Sequence, residues 1–121
     1  MVKPPAFNSE SRPLSYSETQ AERGHRVYLA HCVLCHGINL SDAQFGAPLK
    51  GAYFQSRWRG RTAADLFLYT QATMPPDKPM TLAPADYADV TAYILHANNP
   101  VAGEQELPAD ADVLRDMQLP W

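Results

Sequence analysis

The sequence predicts an all-α domain of three main short helices joined by long ordered loops, and three observations carry that expectation. The chain has 121 residues, the size of one folding unit, and its 45% apolar content, with four Phe, six Tyr and two Trp, is enough for a single core. Apolar residues recur at helical spacing in three separate stretches. Eleven prolines, roughly twice average usage, and six glycines keep every helix short. No run approaches the ~20 apolar residues of a membrane span, which excludes a transmembrane helix.

Residues 1–16 are rich in Pro and Ser and lack periodicity, so they read as an extended N-terminal arm. Ser17 with Gln20 has the form of a capping box, and Gly24, Val27, Tyr28 and His31 then fall on one face of a first helix over 18–31. Gly24 in its interior costs about 1 kcal/mol relative to Ala, so it calls for a packing reason. Residues 37–61 have no sustained period and read as a long structured loop, which in so small a domain must wrap something. Thr62 with Asp65 opens a second helix from Ala63 to about Ala72, with Leu66, Phe67 and Tyr69 apolar, and Pro75-Pro76 stops it. Pro84 suits the first position of a third helix over 84–97, where Tyr87, Val90, Ile94 and Leu95 form the buried stripe. The main domain thus spans 17–99. Residues 100–121 form an acidic tail with a short helix capped by Asp110, packing back through Val113, Leu114 and Met117.

The chemistry lies in His31-Cys32-Val33-Leu34-Cys35-His36. Two thiols two residues apart on a helical turn share one side of it, where each can add to a vinyl group of one haem while the adjacent histidine faces the iron; Cys-x-x-Cys-His is a c-type haem attachment motif. Three other readings compete. A thioredoxin-like pair needs the motif to open a helix in a βαβ setting, and here it closes one. A zinc site needs four ligands, and His25, His31 and His96 complete no known spacing. A pair of buried structural thiols is the third.

A haem c normally takes a sixth ligand, here to be chosen among Met74, Met80 and Met117. Met74 precedes Pro75-Pro76, so its backbone is driven out of the helical region and stiffened, which suits a side chain held out as a ligand. Pro79 places no such restriction on Met80, and Met117 lies on the tail helix. Any of the three could instead be core filler.

Cys32-x-x-Cys35-His36 after a helix carrying Gly24 and Tyr28, then Ala47-Pro48-Leu49-x-Gly51, Met74-Pro75-Pro76 and a last helix from Tyr87 to Leu95, resembles a class I bacterial cytochrome c. The run from Met74 through Asp86-Tyr87-Ala88-Asp89-Val90 to Leu95 is similar to monohaem cytochromes that serve or are fused to quinoprotein dehydrogenases. The resemblance covers residues 20–97 and leaves out the arm and the tail. It implies a class I cytochrome c fold around one covalently attached haem c, with Cys32, Cys35, His36 and Met74 as cofactor residues and His36 and Met74 on the iron. It further implies that Gly24 lets an aromatic such as Tyr93 approach from the last helix, and that the Pro48 carbonyl accepts the His36 Nδ1 proton. Trp58 with Arg57, Arg59 or Arg61 would meet the haem propionates, the arginine being left open. His25, His31 and His96 read as surface or packing residues.

Two protein ligands close the iron's coordination, which leaves one-electron transfer. The expected function is a soluble electron carrier, or the electron-transfer domain of a larger oxidoreductase, and not itself an enzyme, accepting electrons from a periplasmic dehydrogenase and passing them to a terminal oxidase or another cytochrome. The alternative is a haem enzyme or gas sensor with a labile methionine ligand. The opening residues hold no signal-peptide apolar core, so a periplasmic location implies an export signal outside this chain. Net charge is −3 and the pI is near 5.7, which argues against nucleic acid as a partner. The charge is uneven: residues 23–61 sum to +5 and residues 62–121 to −7. The expected docking is therefore electrostatically polarised, with Arg23 and Arg26 more important than Glu104 and Glu106.

Overall fold

The computed structural model describes residues 12–43 and 46–121. Six helices follow in order: α1 Glu18–His31, α2 Val33–His36, α3 Ala52–Trp58, α4 Ala63–Thr73, α5 Pro84–Asn98 and α6 Ala111–Leu114. Among the described residues there is no strand, only isolated bridges from Arg12 to Met117 and from Thr62 to Gln118. The expected all-α fold is what forms. Most of the expected arm, residues 1–11, lies outside the described residues, and α3 occupies part of what reads in sequence as loop.

Local side-chain chemistry starts most of these helices. Ser17 Oγ accepts from Gln20 N at 2.9 Å at the head of α1. The reciprocal half of the expected capping box is missing, because the Gln20 side chain is buried and spent elsewhere. Its Nε2 donates to the Leu107 carbonyl (3.0 Å) and Asp89 Oδ1 (3.3 Å), while its Oε1 accepts from Leu107 N (2.8 Å). Thr62 and Asp65 do form a full capping box on α4. Pro84 stands at the start of α5, and Asp110 accepts from Asp112 N at 3.0 Å to start α6.

The main packing is α1 across α5, with α4 against α5 and α6 against α4. Gly24 sits at the first crossing. A Cβ there would lie 1.9 Å from the Asp89 carbonyl oxygen and 2.9 Å from Tyr93 Cβ, so the closest approach is to the α5 backbone rather than to the aromatic side chain. Tyr87, Val90, Ile94 and Leu95 are all buried, as are Leu66 and Phe67. Two stripe members differ from expectation: His31 and Tyr69 are exposed. Both line a cavity, and Tyr69 stands edge-on to Trp58 at 5.4 Å.

The tail folds back over this frame. Leu107, Leu114, Met117 and Leu119 are buried, and Arg23 bridges Asp89 of α5 (3.2 Å) to Glu106 (2.5 Å).

Candidate functional site

Where α1 ends, Cys32 caps it, and one turn of α2 then carries Cys35 and His36. Both thiols are free and both border a cavity of about 330 Å³. His36 is buried at 7% exposure, with its Nδ1 2.9 Å from the Ala47 carbonyl oxygen. A carbonyl only accepts, so the proton sits on Nδ1 and the Nε2 lone pair is left free for a metal.

That acceptor is a correction, because the expected partner was the Pro48 carbonyl. The cause is Gly46. Its N–H donates to the Cys35 carbonyl at 2.7 Å, and a Cβ on it would stand 2.7 Å from His36 Nδ1. The chain therefore passes against the ring one residue early, and Ala47 reaches the nitrogen while Pro48 lines the cavity. Neither Gly46 nor Ala47 stands out in sequence as a site residue; the only signal is a glycine two places before the proline.

Met74, the C-cap of α4, has extended backbone at φ −125°, ψ 143°, the conformation the following proline demands. It is held at both ends: its N–H donates to the Thr70 carbonyl at 2.9 Å, and its carbonyl accepts from the Tyr87 hydroxyl at 2.7 Å. Tyr87 thus positions Met74, a role its place in a helical stripe does not disclose. Met74 lines the cavity. Met80 does not; it is 65% exposed, and Met117, within the tail, is buried and does not line the cavity either.

The remaining wall is apolar and aromatic, including Leu49, Phe54, Leu66, Val90 and Ile94. Trp58 is buried, and the Arg57 guanidinium lies 4.8 Å from its ring centroid and 5.7 Å from that of Tyr69. Arg57 lines the cavity. Arg59 does not: at the C-cap of α3 its backbone has left the helix (φ −59°, ψ 136°) and its side chain is exposed, so of the two Arg57 is the one the structure brings to the cavity. Arg61 is held by Asp65 at 3.2 Å.

The competing readings of the cysteines lose ground. Burial, and then the neighbouring Cys35, push the Cys32 thiol up to about 11, the reverse of a reactive redox thiolate. Among the described residues no three His, Cys, Asp or Glu side chains gather as a metal cluster. His25 stacks on Tyr93 at 4.7 Å and His96 meets Tyr16 edge-on at 6.0 Å, so both serve in packing. An apolar pocket bearing two thiols, one histidine with a free Nε2 and one methionine fits a haem, whose flat body is apolar and whose iron takes nitrogen and sulfur ligands.

The charge pattern also changes in three dimensions. Arg23 is engaged by Asp89 and Glu106, so it offers little free charge to a partner. Arg26 and Lys50 are exposed and form no ion pair among the described residues.

The family model described as Cytochrome C oxidase, cbb3-type, subunit III matches residues 19–94, a span that runs from α1 into α5 and includes both cysteines, His36 and Met74. No curated protein and no solved structure matches the chain. Among the described residues no helix is long and apolar enough to cross a membrane. With more than half its length inside the match, the chain belongs to this family: it is a c-type cytochrome domain that carries covalently bound haem c with its iron and serves haem-based electron transfer.

Proposed function

We propose that this chain is a monohaem electron carrier of the periplasm, with Cys32 and Cys35 as the thioether residues and His36 and Met74 as the two iron ligands. The bound haem supplies a one-electron couple. His36 holds its ring by the Nδ1 proton shared with Ala47, which strengthens Nε2 as a donor. Met74 is presented on stiff extended backbone anchored by Tyr87. Leu66, Val90 and Ile94 exclude water, and Arg57, stacked on Trp58, meets a propionate carboxylate with its guanidinium fork. What carries the reading is the convergence on one cavity of two free thiols, a histidine whose Nδ1 proton is committed, and one methionine.

The donor is a periplasmic dehydrogenase, of which the quinoprotein kind accords with the Met74–Leu95 resemblance, and the acceptor is a terminal oxidase or another cytochrome. An optical spectrum of both redox states with a redox titration tests the core of this. The ferric protein should show the methionine-to-iron charge-transfer band; Met74→His should abolish it and lower the potential, while Met80→Leu should leave it in place. A band that survives Met74→His, or carbon monoxide binding to the resting ferrous protein, would overturn the ligand assignment.

A further inference from the structure

The wall of the cavity formed by α3 cannot hold itself by local structure. A seven-residue helix is not stable alone, and α3 has no side-chain cap at Gly51. Its start is tied to α5, where Asn98 Oδ1 accepts from Gly51 N at 2.9 Å and Asn98 Nδ2 donates to the Leu49 carbonyl at 2.9 Å. Its far end is tied to the C-terminal segment. Leu119 N donates to the Arg61 carbonyl at 3.0 Å, Ala63 N donates to the Met117 carbonyl at 2.8 Å, and Gln118 bridges to Thr62. These bonds grip the turn that joins α3 to α4, the helix whose end presents Met74. Behind α3 the Trp121 ring meets Phe54 edge-on at 6.0 Å, and Phe54, 2% exposed, lines the cavity on its other side.

One feature of Trp121 is out of place in a simple apolar cover. Its Nε1 is buried with no acceptor among the described residues. A buried N–H without a partner works against folding, a cost that a purely apolar side chain does not carry. The nitrogen is sealed by protein and Trp121 does not border the cavity, so it is no donor to a bound group. What the position gains is a large flat ring against Phe54.

We propose that residues 116–121 are a clasp for the haem cavity and that Trp121 is a positioning residue: by backing Phe54 it keeps α3, and through the Arg61–Ala63 turn α4, closed over the haem. The segment lies outside residues 19–94, which the family model matches. It rests on the reading of Met74 as the iron ligand. A slackened wall admits water and lets an external base compete with the methionine, and solvent exposure lowers the potential of a haem.

The test uses the holoprotein and two readouts, the rate at which imidazole displaces the sixth ligand of the ferric form and the midpoint potential. Trp121→Ala should speed displacement by about tenfold and lower the potential; Trp121→Phe, which keeps a flat ring, should retain near wild-type values. Leu107→Ala, a buried tail residue clamped by Gln20 rather than set against α3, serves as the stability control: it should lower the melting temperature and leave both readouts unmoved. If Trp121→Ala yields no holoprotein, Trp121→Leu is read in its place with the same expectation. Unchanged imidazole kinetics and potential in the Ala or Leu variant, or equal changes in Leu107→Ala, would overturn the clasp. A wild-type protein lacking the methionine band would overturn the ligand reading instead.

Discussion

Substituting Gly46→Ala should loosen the histidine side of the haem site by pressing on the His36 ring from a residue that has no side chain of its own. The new methyl would stand 2.6 Å from the Cys35 carbonyl oxygen, 2.7 Å from His36 Nδ1 and 2.9 Å from Cε1. None of these is the end of a flexible side chain. Ordinary contact begins near 3.4 Å, so the 46–47 segment must retreat by about 0.7 Å from His36 Nδ1 and about 0.8 Å from the Cys35 carbonyl oxygen. The same retreat stretches the 2.9 Å His36 Nδ1 to Ala47 bond to about 3.6 Å, where it no longer counts as a hydrogen bond. Its net worth is about 1 kcal/mol. That hydrogen bond makes Nε2 the stronger donor and so favours ferric iron; its loss raises the midpoint potential, by at most about 40 mV if the whole energy depends on oxidation state. Redox titration reads the potential. Proton exchange at Nδ1, followed by NMR of the ferric protein, reads the hydrogen bond itself and should quicken. A potential that stays put or falls, with slow Nδ1 exchange retained, would refute the reasoning.

Three further outcomes are expected. Tyr87→Phe removes the 2.7 Å hydrogen bond to the Met74 carbonyl and should cost about 1 kcal/mol, so the methionine-to-iron band should fade at a lower temperature than in the wild type; an unchanged fading temperature counts against Tyr87 as the anchor. The Glu106 carboxyl is held below its ordinary value of 4.5, chiefly by the hydrogen bond from Arg23 and then by that from Ser17. A depressed carboxylate contributes its stability above the unfolded value and loses it as pH falls through the folded one. The melting temperature should therefore be insensitive to this group from pH 7 to about 5 and drop below about 4.5, with a shallower drop in Glu106→Gln; identical acid profiles would remove Glu106 from the account. Stopped-flow electron transfer with an acidic redox partner should slow on Arg26→Glu at low salt and converge with the wild type as the Debye length shrinks to about 10 Å near 0.1 M, whereas Arg23→Glu should mainly lower the melting temperature. Equal rate losses for the two would restore Arg23 to the docking face.

The helices that can be read from sequence carry their signals within a few residues. Ser17, the Thr62 and Asp65 pair, Pro84 and Asp110 start helices by contacts two or three residues long or by a fixed φ, and Pro75-Pro76 ends one by sterics alone. The thiols and His36 are legible for the same reason, since their spacing on one turn is local chemistry, and the extended backbone of Met74 follows from the proline after it. The rest depends on which distant segments meet. The α3 helix has no local cap and exists because Phe54 and Trp58 are buried by packing from elsewhere in the chain, so no periodicity announces it. Ala47 rather than Pro48 meets His36 because Gly46 lets the loop press on the ring, a one-residue register that only close contact sets. Arg57 faces the cavity and Arg59 does not because the helix ends between them. Arg23 loses its free charge because the tail brings Glu106 back beside Asp89, a juxtaposition of residues 66 and 83 positions away that charge counted along the chain does not contain.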